Sequence, residues 1–269
     1  MKPPFESRQS SPVEGETGVK RLEKYIEAIS ARAQAEGFPI QKDGRIDMLS
    51  GRYREIYGDD AVERDFQNTR EGQANAEQIR QERLVSDGEK LEMLAHVIMD
   101  RGFGPDFIVA RSAPFDDKRG VDTLVFDKRN GNLVCTLDEV SSTAGFEYEK
   151  KQAAVQKHNL DGGAMLKYGL RLDTTQGRHA VDAGRVENVP LFYFALPKDR
   201  IEKGIQEFDP ASERQSAYEK KLFDYFIAAI GLQIQGLELY SGRLNPDLKK
   251  RLRDFNAVVE SLKNKRSTA

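Results

Sequence analysis

Hydrophobic residues recur at intervals of three and four along much of the chain, and this spacing predicts α-helices. Ser86-Asp87-Gly88-Glu89 has the spacing of a capping box, and Gly102 supplies the stop of the helix that follows. Asn245-Pro246 supplies the cap and first turn of the last helix. The predicted helices cover residues 19–35, 47–57, 86–102, 146–159, 213–240 and the stretch that begins at 245. Residues 59–82 are almost entirely polar, which predicts a solvated helix or a linker.

Short apolar runs predict four strands, at residues 107–110, 121–126, 133–140 and 190–197. Asn130-Gly131 lies between the second and third runs, and this dipeptide is typical of a hairpin turn. The second and third strands should therefore pair antiparallel. With the helices before and after them, the predicted order is α, β, β, β, α, β, which indicates a mixed α/β fold.

The last helix carries an apolar seam that needs a partner helix. Its members alternate at spacings of four and three: Leu248, Leu252, Phe255, Val259 and Leu262. An intramolecular hairpin with the preceding helix is favoured because the two are adjacent in sequence. Formation of a homodimer, or docking of a partner protein, through these C-terminal helices is the alternative.

The amino-acid composition narrows the possible classes of protein. The chain has 269 residues and a net charge of −2, so no global basicity indicates nucleic acid or an anionic membrane. One cysteine and three histidines disfavour a disulfide framework and a zinc site, and they indicate a reducing, cytoplasmic location. The most apolar stretch, residues 222–240, is interrupted by Asp224 and Glu238, which predicts a buried helix and no membrane span.

The same patterns predict four regions along the chain. Residues 1–14 are rich in Pro, Ser and Glu and should form a disordered tail. A charged helical region at 15–85, an α/β core at 86–200 and a C-terminal helical hairpin at 201–269 follow. The charged loop at 116–119 is expected to be solvated, with the alternative that it borders a substrate cleft. The stretch 174–179 is expected to be a flexible loop, and Cys135 to be buried.

Two acidic residues stand at the same end of the predicted hairpin. Side chains that face each other across an antiparallel pair lie about 5 Å apart at Cβ, so Asp122 and Glu139 could share one face. Alternation groups Glu139 with Ser141, although a register slip of one residue would exchange Glu139 with Asp138. Two carboxylates plus water suit Mg²⁺ or Mn²⁺. No Rossmann, Walker or Gly-X-Ser-X-Gly pattern is present.

The element order and the Gly120-Val121-Asp122 and Asp138-Glu139 positions resemble the PD-(D/E)XK nuclease superfamily, over roughly residues 86–196. The resemblance implies a restriction-endonuclease-like αβββαβ core with helical additions at both ends. It implies that Asp122 and Glu139 bind the metal and that Glu92, on the first core helix, completes the site. The implied activity is Mg²⁺-dependent hydrolysis of phosphodiester bonds in DNA or RNA.

The chain departs from the family pattern at the lysine of the motif, because Ser141 stands there. A hydroxyl can orient water but cannot neutralise charge on a phosphoryl group. Lys150 and Lys151 lie on the next helix, where some family members place this lysine, and Lys150 is preferred because it shares a stripe with Phe146 and Ala153. The alternative is an inactive nuclease-like protein that serves as an interaction or assembly module.

Overall fold

The computed structural model describes residues 14–75, 78, 86–173, 180–212 and 215–267, and it is a mixed α/β protein. The predicted tail and the stretch 174–179 lie outside the described residues, as does most of 76–85. The helices are α1 Glu14–Ala35, α2 Gly51–Tyr57, α3 Asp59–Gln67, α4 Arg70–Gln73, α5 Asp87–Phe103, α6 Pro114–Asp117, α7 Phe146–Leu160, α8 Lys198–Glu207, α9 Ala217–Glu238 and α10 Pro246–Ser267. The strands are β1 Phe107–Arg111, β2 Thr123–Asp127, β3 Asn132–Val140, β4 Ala164–Asp173, β5 Ala180–Val189 and β6 Leu191–Ala195.

The main sheet has four strands in the order β1-β2-β3-β6. β2 is antiparallel to both β1 and β3, whereas β6 runs parallel to β3. The predicted turn at Asn130-Gly131 is confirmed: Gly131 has φ 72°, and a Cβ there would collide with the carbonyl oxygen of Leu172. Glycine thus permits both the turn and the close approach of β4.

Between α7 and β6 the chain forms a second sheet, the antiparallel pair β4-β5, which the sequence analysis did not predict. Its signal is an alternation along β4 that only Gly169, which is also buried, interrupts. Leu166, Tyr168, Leu170 and Leu172 are buried, and Lys167 and Arg171 lie between them. The hairpin covers one face of the main sheet.

Two hydrophobic clusters lie on the two faces of the main sheet. One joins Leu22 of α1, Leu94 of α5 and Phe226 of α9 to Val125 of β2. The other joins Tyr53 of α2 and Leu170 of β4 to Phe126 of β2. Both clusters draw on residues before 86, so the N-terminal region packs directly against the predicted core.

The C-terminal seam packs within the chain. Leu248, Leu252, Phe255 and Val259 of α10 are buried in the same cluster as α9 and the main sheet. Apolar residues of α9 and of the position directly after it are exposed at intervals of seven, namely Tyr225 and Leu232 of the helix and Leu239 at its C-cap. Among the described residues, no helix is long and apolar enough to cross a membrane.

The outer edge of β6 is closed by side chains. Asn159 accepts from the N–H of Leu191 at 3.1 Å and donates to its C=O at 2.7 Å. Gln233 repeats this pattern on Tyr193, at 3.0 and 2.6 Å. The hydroxyl of Tyr225 donates to the C=O of Ala195 at 2.9 Å. These three residues take the place of a further strand along this edge.

Candidate functional site

Asp122 directly precedes β2, and backbone hydrogen bonds join it to residues on both sides of it. Its N–H donates to the C=O of Leu137 at 2.9 Å, and its own C=O accepts from Ser112 at 2.8 Å. Thr123 pairs with Leu137, so the register carried on by one residue sets Asp122 opposite Asp138. The Asp122 carboxylate nevertheless accepts the backbone N–H of Glu139 at 2.8 Å, which brings the two predicted metal ligands together.

Glu139 is a buried acid without a good donor. It is 8% exposed, and neither carboxylate oxygen has a hydrogen-bond partner of good geometry among the described residues. Burial raises its pKa to about 8, and the charge of Glu92 adds to the rise, while the side chains of Asp122 and Thr123 offset it in part. Burial, followed by the charge of Glu139, holds the pKa of Asp122 well above its usual range.

Glu92 lies on α5, where its carboxylate is close to the other acids of the site and to a buried arginine. Arg111, at the end of β1, forms ion pairs with Glu92 and, at 2.9 Å, with Glu89. Burial raises the pKa of Glu92, and Arg111 opposes this rise. His96, one turn further along α5, is buried with no hydrogen-bond partner for either ring nitrogen among the described residues.

Arg45 joins the N-terminal region to this cluster. Its guanidinium forms an ion pair with Asp117 and lies 3.5 Å from Glu89, 3.7 Å from Glu92 and 3.8 Å from Glu71. The residue is held in place because Arg111 N donates to Gly44 O at 2.8 Å and Ile46 N donates to Arg111 O at 3.0 Å. Arg45 is almost completely buried, so its charge acts through a medium of low polarity.

Of the two candidate lysines, the structure brings Lys151 to the site. Lys151 of α7 forms an ion pair with the buried Asp138, whereas Lys150 is exposed. Burial alone would lower the pKa of Lys151, but the carboxylates, Asp138 first, outweigh it and raise the pKa. The preference for Lys150 is thereby reversed. α7 buries only Val155 and Asn159 fully, so its apolar pattern gave no sound basis for choosing a face.

Ser141 directly follows β3 and is partly exposed. Of the loop 116–119, Lys118 and Arg119 are exposed as expected, but Asp116 and Asp117 belong to α6 and are anchored. Asp116 is buried and accepts the N–H groups of Lys167 and Tyr168, each at 3.0 Å, and burial raises its pKa to about 6. Asp117, beside it, binds Arg45. This correction arises because the β4-β5 hairpin, absent from the sequence prediction, covers Asp116.

A cleft of about 590 Å³ opens beside the cluster. Glu89 and Glu92 of α5, Asp117 of α6 and Glu71 of α4 lie on its wall, with Arg70 and Lys118 nearer its rim. The charges of Glu92 and Asp117 both raise the pKa of Asp122. Glu92 and Asp117 therefore lie on the wall of the cleft and also act electrostatically on the buried carboxylate of Asp122.

The sequence analysis did not assign Arg45, Arg111, Glu71 or Glu89 to the site, whereas Asp117 belongs to the loop that it placed at the border of a possible substrate cleft. Of these residues, only Arg111 stands out in the local sequence, because it is the last residue of an otherwise apolar strand. Within the described residues, no three His, Cys, Asp or Glu side chains already stand in metal-binding geometry. No protein-family model, curated protein or solved structure matches the chain.

Proposed function

We propose that this protein hydrolyses phosphodiester bonds in nucleic acid with the help of Mg²⁺ or Mn²⁺ held by Asp122 and Glu139. The observation that carries the proposal is the buried Glu139 carboxylate, which lacks a good hydrogen-bond donor among the described residues and lies beside Asp122. A buried carboxylate in this state is costly unless it is protonated or coordinates a cation. Mg²⁺ usually takes one or two carboxylates and fills its remaining positions with water and substrate phosphate.

The charge balance of the site supports a cation. Among the described residues, eight carboxylates lie in this cluster or form ion pairs with its cations, from Asp43, Glu71, Glu89, Glu92, Asp117, Asp122, Asp138 and Glu139. Three described cations face them, from Arg45, Arg111 and Lys151. The described carboxylates of the cluster therefore outnumber its described cations when all are ionised. Burial is the main cause of the raised pKa values of Glu92, Asp122 and Glu139, and the charges of neighbouring acids raise them further.

Each residue then has a definite role. Asp122 and Glu139 hold the ion, and Glu92, anchored by Arg111, adds negative charge on the cleft side. When bound, the ion polarises a phosphoryl oxygen and lowers the pKa of a water molecule. Lys151, oriented by Asp138, supplies the positive charge that Ser141 lacks, and the Ser141 hydroxyl is placed to orient water at the strand end.

Nucleic acid as the substrate follows from the resemblance to PD-(D/E)XK nucleases and a restriction-endonuclease-like core. The strand order β1-β2-β3-β6, with β3 and β6 parallel, supports that likeness, as does the position of Asp122 and Glu139 on neighbouring strands. The β4-β5 hairpin would be an insertion before the last strand of such a core.

Metal binding tests the proposal without a known substrate. Calorimetric titration with Mn²⁺ should give binding in the unaltered protein and a loss of at least tenfold in affinity in Asp122→Asn and in Glu139→Gln. Glu149→Gln, an exposed acid of α7, is the matched control and should bind normally. DNA and RNA, single- and double-stranded, are then screened for Mn²⁺-dependent cleavage. Absence of binding in the unaltered protein would refute the proposal.

A second function is favoured by a specific observation. Glu89 and Glu92 are already bound by Arg111, and Ser141 replaces the motif lysine, as expected of a nuclease-like protein that has lost its chemistry. Such a protein would act as an interaction or assembly module, and Tyr225, Leu232 and Leu239 on α9 would be its surface. This alternative predicts no Mn²⁺ binding, together with association that Leu232→Glu abolishes.

A further inference from the structure

Thr123, the first residue of β2, has a hydroxyl group that the fold leaves unsatisfied. The side chain is completely buried, and its Oγ1 atom has no hydrogen-bond partner of good geometry among the described residues. A buried hydroxyl without a partner destabilises a fold, and native structures keep few of them. Valine would suit the strand equally well without this cost. The hydroxyl at this position therefore needs an explanation.

The strand register places this hydroxyl on the same face of the sheet as Glu139. Thr123 pairs with Leu137 across the ladder, and Glu139 is two residues further along β3. Residues two apart on a strand share a face, and a side chain can reach the diagonal neighbour of its partner. Val125 and Leu137 both pack in the cluster that contains Leu94 of α5, so this face is the one that α5 covers.

Glu139 has the complementary deficit. Both of its carboxylate oxygens are buried and lack hydrogen-bond partners of good geometry among the described residues. Burial raises the pKa of Glu139 to about 8, and the Thr123 side chain is among the groups that oppose this rise, as expected of a hydroxyl beside the carboxylate. A hydroxyl donates a single hydrogen bond. Thr123 can therefore hold one oxygen of Glu139 and leave the other free.

The carboxylate of Asp122 is held in the same way. Its Oδ2 atom accepts the backbone N–H of Glu139 at 2.8 Å, which leaves the second oxygen for an ion. An ion between the two residues would thus meet one oxygen from each. Two single oxygens, completed by water and substrate phosphate, suit the octahedral shell of Mg²⁺ or Mn²⁺. Ca²⁺ takes about six to eight oxygens and often binds both oxygens of one carboxylate.

We propose that Thr123 determines which divalent ion the site accepts, an inference that rests on the proposed metal centre. Its hydroxyl donates to one oxygen of Glu139, so this carboxylate binds an ion through the other oxygen alone. Binding through a single oxygen favours Mg²⁺ and Mn²⁺ and disfavours Ca²⁺. Thr123 does not touch the ion and is a positioning residue, because it acts through the orientation of Glu139.

Thr123→Val isolates the hydroxyl, because it keeps a β-branched side chain of nearly the same shape. Glu139 can then turn both oxygens towards an ion, which is the arrangement that Ca²⁺ accepts. Mn²⁺ affinity should fall several-fold, since the carboxylate is no longer oriented. The ratio of Ca²⁺ affinity to Mn²⁺ affinity should rise by about fivefold or more. A purely structural role of Thr123 would weaken both ions alike and leave this ratio unchanged.

Thr136→Val is the matched control. Thr136 is equally buried in the same sheet, but its hydroxyl donates to the C=O of Pro190 at 3.1 Å. This variant should lower the melting temperature and leave the ratio of the two affinities unchanged. Thr123→Ser keeps a hydroxyl and should retain the selectivity of the unaltered protein. Thr123→Ala removes the hydroxyl without adding a methyl group, so it replaces Thr123→Val if the latter does not fold.

Calorimetric titrations with Mn²⁺ and with Ca²⁺ measure both affinities in the full chain and in each folded variant. The expected result is a ratio that rises in Thr123→Val, stays unchanged in Thr136→Val and is retained in Thr123→Ser. An unchanged ratio in folded Thr123→Val, or an equal rise in Thr136→Val, would overturn the role of Thr123 and leave the metal centre standing. Absence of Mn²⁺ binding in the unaltered protein would instead refute the metal centre, and this inference with it.

Discussion

Lys150 and Lys151 are adjacent in sequence but differ in surroundings, which makes them a matched pair. Lys151→Met removes the cation beside the buried Asp138 and the charge proposed to act on the phosphoryl group. We expect cleavage to fall by about 100-fold while Mn²⁺ binding persists. Lys150→Met should leave both unchanged, because that side chain is exposed. Equal losses in the two variants would contradict the role given to Lys151.

Glu139 predicts how stability depends on pH in the absence of metal. Its pKa is raised to about 8, so the folded protein keeps a proton that the unfolded chain releases near its ordinary value of 4.5. Stability from this group is complete below that value and is lost as the pH rises towards 8. Burial lowers the pKa of His96 to about 3, so its contribution rises with pH up to about 6.5, its ordinary value.

Above pH 6.5 the contribution of His96 no longer changes, so the pH dependence of stability there comes from the acidic residues. In EDTA, the free energy of unfolding should fall by about 2 kcal/mol between pH 6.5 and 8, as followed by urea denaturation. Glu139→Gln should remove most of that fall, and Mg²⁺ added at pH 8 should restore stability in the unaltered protein. A fall of the same size in Glu139→Gln would show that another group titrates.

At the residue scale, the sequence predicted the groups whose signal is local. Asp122 and Glu139 stand at the ends of apolar runs, so their meeting follows from one hairpin. Arg45 lies many residues away, and its meeting with Asp117 depends on packing between regions that no local pattern relates. Lys151 could not be separated from Lys150 because the burial pattern of α7 is too weak to fix a face.

Among the elements, the side-chain closure of β6 is open to a direct test. Gln233→Ala would leave the outward N–H and C=O of Tyr193 unpaired. We expect a loss of about 1–3 kcal/mol in stability, measured by chemical denaturation. Gln235→Ala, two residues further along α9 and exposed, is the control and should change stability little. Equal stability in both variants would show that Gln233 does not act as a substitute strand.

The strands show what the apolar pattern can and cannot predict. β1, β2, β3 and β6 are continuous apolar runs, and their predicted bounds differ from those observed by only a few residues. The β4-β5 hairpin was missed although buried and more exposed side chains alternate over most of β4, which Gly162 and Gly163 precede. Both have positive φ, and they turn the chain from α7 into β4. α8 was missed as well, since it is short and mostly polar.

On the scale of the whole molecule, ion pairs of Arg45 link the N-terminal region to the acid cluster. Removing this residue should therefore lower the stability of the whole fold. Arg45→Met takes the guanidinium away from Asp117, Glu89 and Glu92, and we expect a loss of about 3–5 kcal/mol. Lys42→Met, exposed in the same turn, should be neutral. Adding Asp117→Asn to Arg45→Met should recover part of the loss, since one of the unpaired acids is then neutral. Additive effects of the two substitutions would contradict direct coupling.

Arg45 also determines how far the chain can be divided. A fragment that begins at Ser86 would contain every residue of the motif but would lack this guanidinium, together with the strand-like cover that Gly44 and Ile46 give to Arg111. Three carboxylates would lose a shared counter-ion at once. Gene truncations that keep only the segment with the proposed metal ligands should therefore give insoluble products, and the shortest useful piece has to start upstream of Gly44.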